Sequence, residues 1–317
     1  PLPPFDHMAD EAASGSTGGL DVLDTQARNP LWAFARHRLG ARLLEDYALS
    51  ASASQRGQFL HGALEQVWRM LPDQEQLHEA VAQGRLGDLL DAAIAQAAEA
   101  HLAGYDATLR ELECERARKV LEGWFDLEAQ RTPFVVDQVE RKHPWTRGAL
   151  RLHVRLDRMD RLLADNRAVI VDYKTGMSPG RPESDWSRAR PINLQLPFYA
   201  AVLAGEDPGL DVAALMLAQI HARQVGVQGL ADDDAELGLK GVKGIADSKE
   251  FAGRAWRDAL AGWRSAIEGL ADEYAAGFAA NIVASPKDLE YCDAMPFLRW
   301  NLEGAQWDDG DEEGDDA

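Results

Sequence analysis

Cysteine is scarce in this chain: its 317 residues include two, Cys114 and Cys292. Two cysteines exclude a fold built on a disulfide framework and favour a reducing compartment. Long apolar runs are also missing, since none approaches the ~20 residues of a membrane span. Nothing at the N-terminus has the pattern of a signal peptide. We therefore expect a globular cytoplasmic protein with no membrane partner.

Positive charge is in short supply as well. The chain has 33 Lys and Arg against 53 Asp and Glu, a formal net charge of -20. Proteins that bind nucleic acid indiscriminately are usually positive, so the composition argues against that class. Part of the excess is local, because Asp308 to Asp316 are nearly all acidic and such runs stay solvated. DNA binding through a basic groove and a bridging metal remains compatible with the charge.

The polar residues that suggest chemistry concentrate in the middle of the chain. Apolar residues at alternate positions before Asp157 predict a half-buried strand. The β-branched run 168–171 predicts a buried strand that ends on Asp172 and Lys174. Residues two apart on a strand share a face, about 6 to 7 Å apart, so these two side chains project together. A hairpin through Asp165-Asn166 brings Asp157 alongside.

Two carboxylates and an ammonium at a strand end suit a hard divalent cation, which the carboxylates bind while the lysine orients water. The acid-x-Lys pattern alone is common, and the chain has two further copies, Glu140-Arg141-Lys142 and Asp247-Ser248-Lys249. Only the copy at Asp172 follows a second buried acid across a short hairpin. On the pattern alone, a surface ion pair and a metal site are equally compatible with the residues.

Several other polar residues have both a structural and a functional interpretation. His61 and Glu65 lie one turn apart on a predicted helix, and His61 is either a metal ligand or a satisfied, partly buried histidine. Glu140 closes a predicted strand, and on the pattern alone it is compatible with a surface charge. Gln195 and Tyr199 lie one turn apart on another predicted helix, so an amide and a phenol can meet the same ligand.

Together these motifs resemble the PD-(D/E)xK nuclease superfamily and, within it, the RecB-type branch whose nuclease domains end AddB-like recombination and repair proteins. The resemblance covers about residues 23 to 301. Its segments, in family order, are the N-terminal helix at Asn29 to Arg42, the histidine helix at Arg56 to Glu65, the hairpin from Asp157 to Lys174, and Gln195 to Tyr199.

The resemblance implies an α/β fold: a restriction-endonuclease-like mixed β-sheet core flanked by helices, with an all-helical N-terminal subregion. It implies Mg2+ or Mn2+ held by His61, Asp157, Asp172 and the carbonyl of Tyr173. The catalytic residues would be Asp157, Asp172 and Lys174, with the pKa of Lys174 lowered by the metal. Supporting or substrate-binding roles would fall to Gln195, Tyr199, Arg158, Glu65, Arg56 and Glu140. Arg158 is expected to contact phosphate or brace Asp172.

The C-terminal end departs from the family pattern. Many AddB-like domains resemble a cage in which four cysteines hold an iron-sulfur cluster. The corresponding positions here are Asn29, Cys292, Met295 and about Asn301, so only Cys292 of the four remains. One thiolate cannot hold such a cluster, and we expect none. We expect the two chain ends to be held instead by packing of Trp32, Pro296, Phe297 and Trp300.

Composition divides the chain into three parts. Residues 1–23 are rich in Pro, Gly, Ser and Ala and predict a flexible linker. The resemblance implies that residues 24–303 form one nuclease domain, with a helical part at 24–130, the catalytic sheet at 131–230, and a C-terminal helix and closing segment at 250–303. Residues 304–317 are expected to be an acidic disordered tail. Within the domain, residues 232–249 predict a mobile loop and the pattern from Phe251 to Phe278 predicts a long amphipathic helix.

The function implied by the resemblance is metal-dependent hydrolysis of DNA, as an exonuclease in recombination and double-strand-break repair. The implied partner is a helicase subunit or a helicase-like region of the same polypeptide. Two alternatives remain. One is a degenerate nuclease fold that acts as a DNA-binding or scaffolding module. The other is a helical interaction domain in which Asp-x-Lys is coincidental, and in that case Asp157 and Asp172 would lie more than ~8 Å apart.

Overall fold

The computed structural model describes residues 17–42, 52–177, 180–207 and 209–299. Trp300, the predicted acidic tail and most of the predicted linker lie outside these ranges. The described end of that linker has regular structure. Thr17–Gly18 form strand β1, and helix α1 (Asp21–Arg28) begins three residues later.

Helices occupy the N-terminal part, as predicted. After α1 come α2 (Pro30–His37), α3 (Ala53–Met70), α4 (Gln74–Ala82), α5 (Leu86–His101) and α6 (Ala107–Glu128). Local signals set two of their starts. The Asn29 side chain accepts a hydrogen bond from the Trp32 N–H ahead of α2, and Ser52 and Gln55 form a capping box on α3. Within the described ranges, no helix is long and apolar enough to cross a membrane.

One mixed sheet forms the centre of the molecule. Its main strands are β2 (Phe134–Arg147), β3 (Leu150–Leu162), β4 (Ala168–Lys174), β5 (Val212–His221), β6 (Gln224–Ala231) and β7 (Val242–Gly244). The order across the sheet is β2-β3-β4-β5-β6-β7, and β1 lies parallel to the first half of β3. The β4–β5 and β6–β7 pairs are parallel, and the others along this path are antiparallel.

Helices also follow β4 and β7. The connection from β4 to β5 contains α7 (Pro182–Trp186), α8 (Gln195–Phe198), a π-helical turn (Tyr199–Leu203) and α9 (Ala204–Glu206). After β7 come two 3-10 turns, α10 (Trp256–Ala275), a third 3-10 turn and α11 (Met295–Leu298). The segment predicted as a mobile loop therefore includes β7. The predicted long helix is α10, which is shorter than expected at both ends.

Apolar side chains fill both sides of the sheet. On one side Ile170 of β4 belongs to a core with Trp263 and Ile267 of α10. On the other side Val171 belongs to a core with Trp68 and residues of α5 and α6. Because β4 and β5 are covered on both faces, they read as continuous apolar runs in the sequence. The predicted fold class, a mixed sheet flanked by helices, is confirmed.

In the long β2–β3 hairpin, the alternation of side chains between the two faces of the sheet is interrupted at one point. Val154 and Leu156 pack on the α10 side, and beyond Asp157 the odd-numbered Met159 takes that place. The residue across the hairpin from Asp157 is Glu140, which lies between the ladder pairs Val139–Arg158 and Arg141–Leu156 and has a φ of 50°. A positive φ is uncommon for a residue with a side chain. The hairpin is therefore distorted where its two acids meet.

The beginning and end of the described chain pack together through α2. Trp32 lies in a small apolar cluster with Cys292 and Leu298, and its indole N–H donates to Asp293 at 2.8 Å. Asn29 is fully buried, and its amide donates to Asn281 at 2.8 Å. Packing by Trp32 agrees with the expectation, but Phe297 is 51% exposed and Pro296 is also at the surface. Hydrogen bonds therefore contribute to this junction along with apolar contacts.

Candidate metal centre

Strand pairing brings the two predicted acids together. In the β3–β4 ladder Arg158 pairs with Val171, so the next residues outward, Asp157 and Asp172, face each other across the strands. Directly opposite residues have Cβ atoms about 4.5 to 5.5 Å apart, well inside the ~8 Å limit set above. The Tyr173 N–H also donates to Asp157 Oδ2 at 2.8 Å. The helical-domain alternative is therefore excluded.

Lys174 pairs with the second acid. Its ammonium lies 2.8 Å from Asp172 Oδ2, and the Asp172 side chain is only 3% exposed. The two residues share one face of β4, as the strand period predicts. Burial alone lowers the pKa of Lys174, but the charge of Asp172 outweighs burial and raises it. A metal ion would therefore have to outweigh the charge of Asp172 in order to lower the pKa of Lys174 as expected.

Helix α3 adds His61 to the same place. Its Nε2 lies 3.0 Å from the Tyr173 carbonyl, while Nδ1 lies 3.4 Å from Glu140 Oε1 and 3.7 Å from Asp157 Oδ2. Nδ1 is buried and has no hydrogen-bond partner among the described residues. Helix α3 approaches the end of β4 closely at Gly57, where a Cβ would lie 3.1 Å from Thr175 Oγ1 and that side chain would have to shift by a few tenths of an ångström.

Glu140, which was open to two interpretations, lies in the site. Its Oε1 faces His61, and its Oε2 forms an ion pair with Arg155 at 2.9 Å. The positive φ of Glu140 turns its side chain to the same side of the hairpin as Asp157. One ligand atom from each of His61, Glu140 and Asp157 lies within 4.8 Å of the others. Asp172, which was predicted as a ligand, is outside this group and is paired with Lys174.

The acids and the histidine influence each other's protonation. Burial, followed by the charge of Asp172, raises the pKa of Asp157 to about 7. Burial lowers the pKa of His61, but the close approach of Glu140 and the neighbouring carboxylate charges outweigh it, so the pKa is raised. Both shifts have one origin: an excess of negative charge in a buried place. The cavity therefore favours a bound cation.

The donor set fits Mg2+ or Mn2+. When neutral His61 donates from Nε2 to the Tyr173 carbonyl, Nδ1 presents a lone pair towards two carboxylates. That arrangement is repulsive unless a proton or a metal ion lies between the groups. Neighbouring ligands of an octahedral ion with bonds of about 2.1 Å are roughly 3 Å apart. The distances of 3.4 Å and 3.7 Å from Nδ1 need only a small contraction to match.

Gln195 and Tyr199 occupy different positions relative to the site. The Gln195 amide lies 3.4 Å from Asp157 Oδ1, so it contacts one acid. Tyr199 is 3% exposed and its hydroxyl has no hydrogen-bond partner among the described residues. It lines a neighbouring cavity with His143, whose ring centroid is 5.8 Å from its own. Gln195 therefore contacts the candidate site, whereas Tyr199 lines the neighbouring cavity. The geometry does not bring the two side chains to one ligand as expected.

Arg158 is elsewhere, and its expected role is corrected. It is completely buried on the α3 side of the sheet, where its guanidinium pairs with Glu128 at 2.7 Å and Asp160 at 2.6 Å. The guanidinium carbon Cζ of Arg158 lies 3.7 Å from the centroid of the Trp68 ring. From this position Arg158 cannot contact a phosphate, and it does not brace Asp172. It supports the site indirectly, through a 3.2 Å contact with the Tyr173 hydroxyl.

Two other expected supporting residues also lie outside the cluster. Glu65 forms an ion pair with Arg69 on the surface of α3. Arg56 lies 3.8 Å from Glu113 and lines a second cavity next to the site. Asp21 was not predicted, and it lines the cavity that contains His61, Asp157 and Lys174, from the start of α1. Because Asp21 falls in the predicted linker, its position had no signal in the local pattern.

Comparisons with known proteins agree with this geometry at the level of the superfamily. The family model described as "PD-(D/E)XK nuclease superfamily" matches residues 21–297. No curated protein matches the chain. Among solved structures, the one titled "Crystal structure of SSO0001" is 11% identical, covers 87% of this chain and 93% of its own, and has a TM-score of 0.29. That TM-score is too low to support any inference about this chain.

Proposed function

The chain belongs to the PD-(D/E)XK nuclease superfamily, and we propose that it is a deoxyribonuclease dependent on Mg2+ or Mn2+. The observation that carries this proposal is the position of His61 Nδ1, which is buried, has no hydrogen-bond partner among the described residues, and lies 3.4 Å from Glu140 Oε1 and 3.7 Å from Asp157 Oδ2. A purely structural histidine would have its hydrogen-bonding capacity satisfied. A lysine paired with a third acid, Asp172, lies in the same cavity.

His61, Glu140 and Asp157 would hold the ion, with Asp172 and the Tyr173 carbonyl as the remaining candidates. When bound, a divalent ion polarises a phosphate and acidifies water. Metal binding alone does not account for the presence of Lys174, whose ammonium lines the same cavity. We assign it the role of orienting the attacking water and offsetting the negative charge that develops on the phosphate.

The remaining polar residues position the acids. The Tyr173 N–H and the Gln195 amide both contact Asp157, at 2.8 Å and 3.4 Å. Arg155 pairs with Glu140 and is half exposed, which leaves its guanidinium open to solvent at the cavity. Arg155 therefore neutralises part of the acidic charge and gives an incoming phosphate a cation to approach.

The finer proposal follows from the residue resemblance: a RecB- or AddB-like exonuclease that acts in recombination and repair beside a helicase. It is supported by the family order of the His61, Asp157, Asp172 and Gln195 motifs and by the contacts of these residues with one cavity. The absence of three of the four cluster cysteines distinguishes this chain from many such domains.

The test is cleavage of end-labelled linear single- and double-stranded DNA with Mg2+ or Mn2+. We expect Asp172→Ala and Lys174→Ala each to abolish cleavage while the circular dichroism spectrum is unchanged. The chain offers a matched control in its other Asp-x-Lys copy, because Asp247 and Lys249 are exposed. Asp247→Ala and Lys249→Ala should leave the rate unchanged. Single-nucleotide products would support end-directed degradation, and internal fragments would support an endonuclease.

Two outcomes would count against the proposal. Equal activity of the Asp172→Ala protein and the unaltered protein would assign the cleavage to a contaminant or another site. An inert chain that also fails to bind Mn2+ would favour a degenerate fold that binds DNA or acts as a scaffold. An inert chain that binds Mn2+ through His61 and Asp157 would keep the site and require the helicase partner, which the assay would then include.

A further inference from the structure

A second cavity lies beside the metal site. It has a volume of about 340 Å3 and opens between α3, α6 and the ends of β4 and β5. A volume in this range is sufficient for a small organic ligand. Its apolar wall is formed by Phe59, Leu60, Ala117, Val120 and Ile220. We call it the Arg56 cavity, after the arginine at its mouth.

Two chain segments border both cavities. Arg56 precedes His61 by five residues on α3, which corresponds to about 7.5 Å along the helix axis. Thr175, Gly176 and Met177 line the Arg56 cavity and directly follow Lys174. The Arg56 cavity and the candidate metal site are therefore neighbours along α3 and the end of β4.

The mouth of the cavity is positive in an otherwise acidic protein. The guanidiniums of Arg56 and Arg116 lie 3.8 Å and 3.2 Å from the same carboxylate, that of Glu113. Two cations share one anion, so one positive charge is left over, whereas the chain as a whole carries -20. Both arginine side chains are more than a third exposed and can reach a ligand.

Positive charge at the mouth and an apolar wall match the two halves of a nucleotide. Arginine binds phosphate through charge-assisted hydrogen bonds. A base buries its ring face against apolar or aromatic side chains regardless of its sequence identity. A base in a duplex is already paired and stacked, so it enters such a pocket only when unpaired.

We propose that the Arg56 cavity binds the nucleotide adjacent to the scissile phosphate of an unpaired DNA strand. Its base lies against Leu60 and Met177, the large apolar lining residues that are open to solvent, and its phosphate lies at Arg56 and Arg116. This inference rests on the proposed nuclease function and specifies the substrate: single-stranded DNA or the frayed end of a duplex. The cavity selects for an unpaired base, and the metal site cuts the neighbouring bond.

The test measures binding without cleavage, in EDTA, by fluorescence anisotropy. The probes are a labelled thymidine 12-mer and an abasic 12-mer of equal charge. The unaltered protein should bind the thymidine strand at least tenfold more tightly than the abasic strand. Ala222 is exposed and lines the cavity, so Ala222→Trp fills it with little risk to folding. This variant should lose the preference for bases and keep its affinity for the abasic strand.

The phosphate half is tested with Arg56→Ala combined with Arg116→Ala. This double variant should bind both 12-mers about tenfold more weakly and bind a blunt duplex unchanged. Arg110→Ala is the control, because Arg110 is exposed on the same helix and does not line the cavity. It should bind all three probes normally.

The two proposals fail in different ways. If the unaltered protein cleaves DNA and binds both 12-mers equally, or if Ala222→Trp retains the preference, the cavity proposal is overturned and the nuclease proposal stands. If the protein prefers bases but neither cleaves DNA nor binds Mn2+, the cavity proposal stands for a DNA-binding module and the nuclease proposal falls.

Discussion

The acid at the centre of the site should make the metal-free protein less stable at alkaline pH. Asp157 is 3% exposed, and its pKa is raised from 3.8 to about 7, by burial first and by Asp172 second. Replacing it with Asn removes the ionisable group and keeps an oxygen for the Tyr173 N–H. We expect Asp157→Asn to stabilise the protein at pH 8 and to have a smaller effect at pH 5.

The sign follows from proton linkage. Between pH 3.8 and about 7 the folded state holds a proton on Asp157 that the unfolded state has released. The free energy of unfolding therefore falls as the pH rises, by about 1.4 kcal/mol for each pH unit, and levels off above pH 7. The full shift corresponds to a ceiling of about 4 kcal/mol. Coupling to Asp172 and His61 spreads part of this amount over the cluster.

The assay is urea unfolding in EDTA at pH 5 and pH 8. The proteins are the unaltered chain, Asp157→Asn and the control Asp126→Asn, whose residue is exposed on α6. Repeating the measurement with Mn2+ at pH 8 should stabilise the unaltered chain and leave Asp157→Asn unchanged, because the ion needs the ionised carboxylate. Equal destabilisation by Asp157→Asn at both pH values would refute the reasoning, since it would mean that the carboxylate stabilises the fold while ionised.

Two further predictions concern the environment of the site and are also measured by urea unfolding at neutral pH. Arg158→Met should lower the free energy of unfolding by about 3 to 5 kcal/mol, because it leaves the two buried carboxylates of Glu128 and Asp160 to share the single positive charge of Arg131; a loss below about 1 kcal/mol would contradict this. Tyr199→Phe should raise it by about 1 kcal/mol, since the removed hydroxyl is buried and has no hydrogen-bond partner among the described residues. Tyr173→Phe is the matched control and should not stabilise the protein, because that hydroxyl contacts Arg158.

Local patterns were sufficient for the part of the site that lies on adjacent strands. The strand period places Asp172 and Lys174 on one face, and a short hairpin places Asp157 opposite Asp172. The same period shows why Arg158 was misassigned: consecutive residues of a strand point to opposite faces, so the neighbour of a site acid faces the other layer. Its partner Glu128 is 30 residues away in the sequence, on α6. No local pattern identifies a partner at that separation.

Glu140 has two interpretations in the sequence because its position depends on a distortion of the hairpin. An alternating strand gives no signal for a residue with a φ of 50°. The distortion appears in the sequence only indirectly, as the change of apolar positions from Leu156 to Met159 on either side of Asp157. That shift of one residue was visible, and it marks the point where the two strands turn their acids to one side.

Several unfavourable features meet at this cavity and its immediate neighbours. Glu140 has a strained backbone, Asp157 resists ionisation, and among the described residues neither His61 Nδ1 nor the buried Tyr199 hydroxyl has a hydrogen-bond partner. Each costs on the order of 1 kcal/mol or more. A fold selected for stability alone would not gather them in one place. A divalent ion would offset those at Glu140, Asp157 and His61 together, because it attracts both carboxylates and accepts the histidine lone pair. The stability lost in the metal-free protein is thus a measure of how far the site is organised for a cation before one binds.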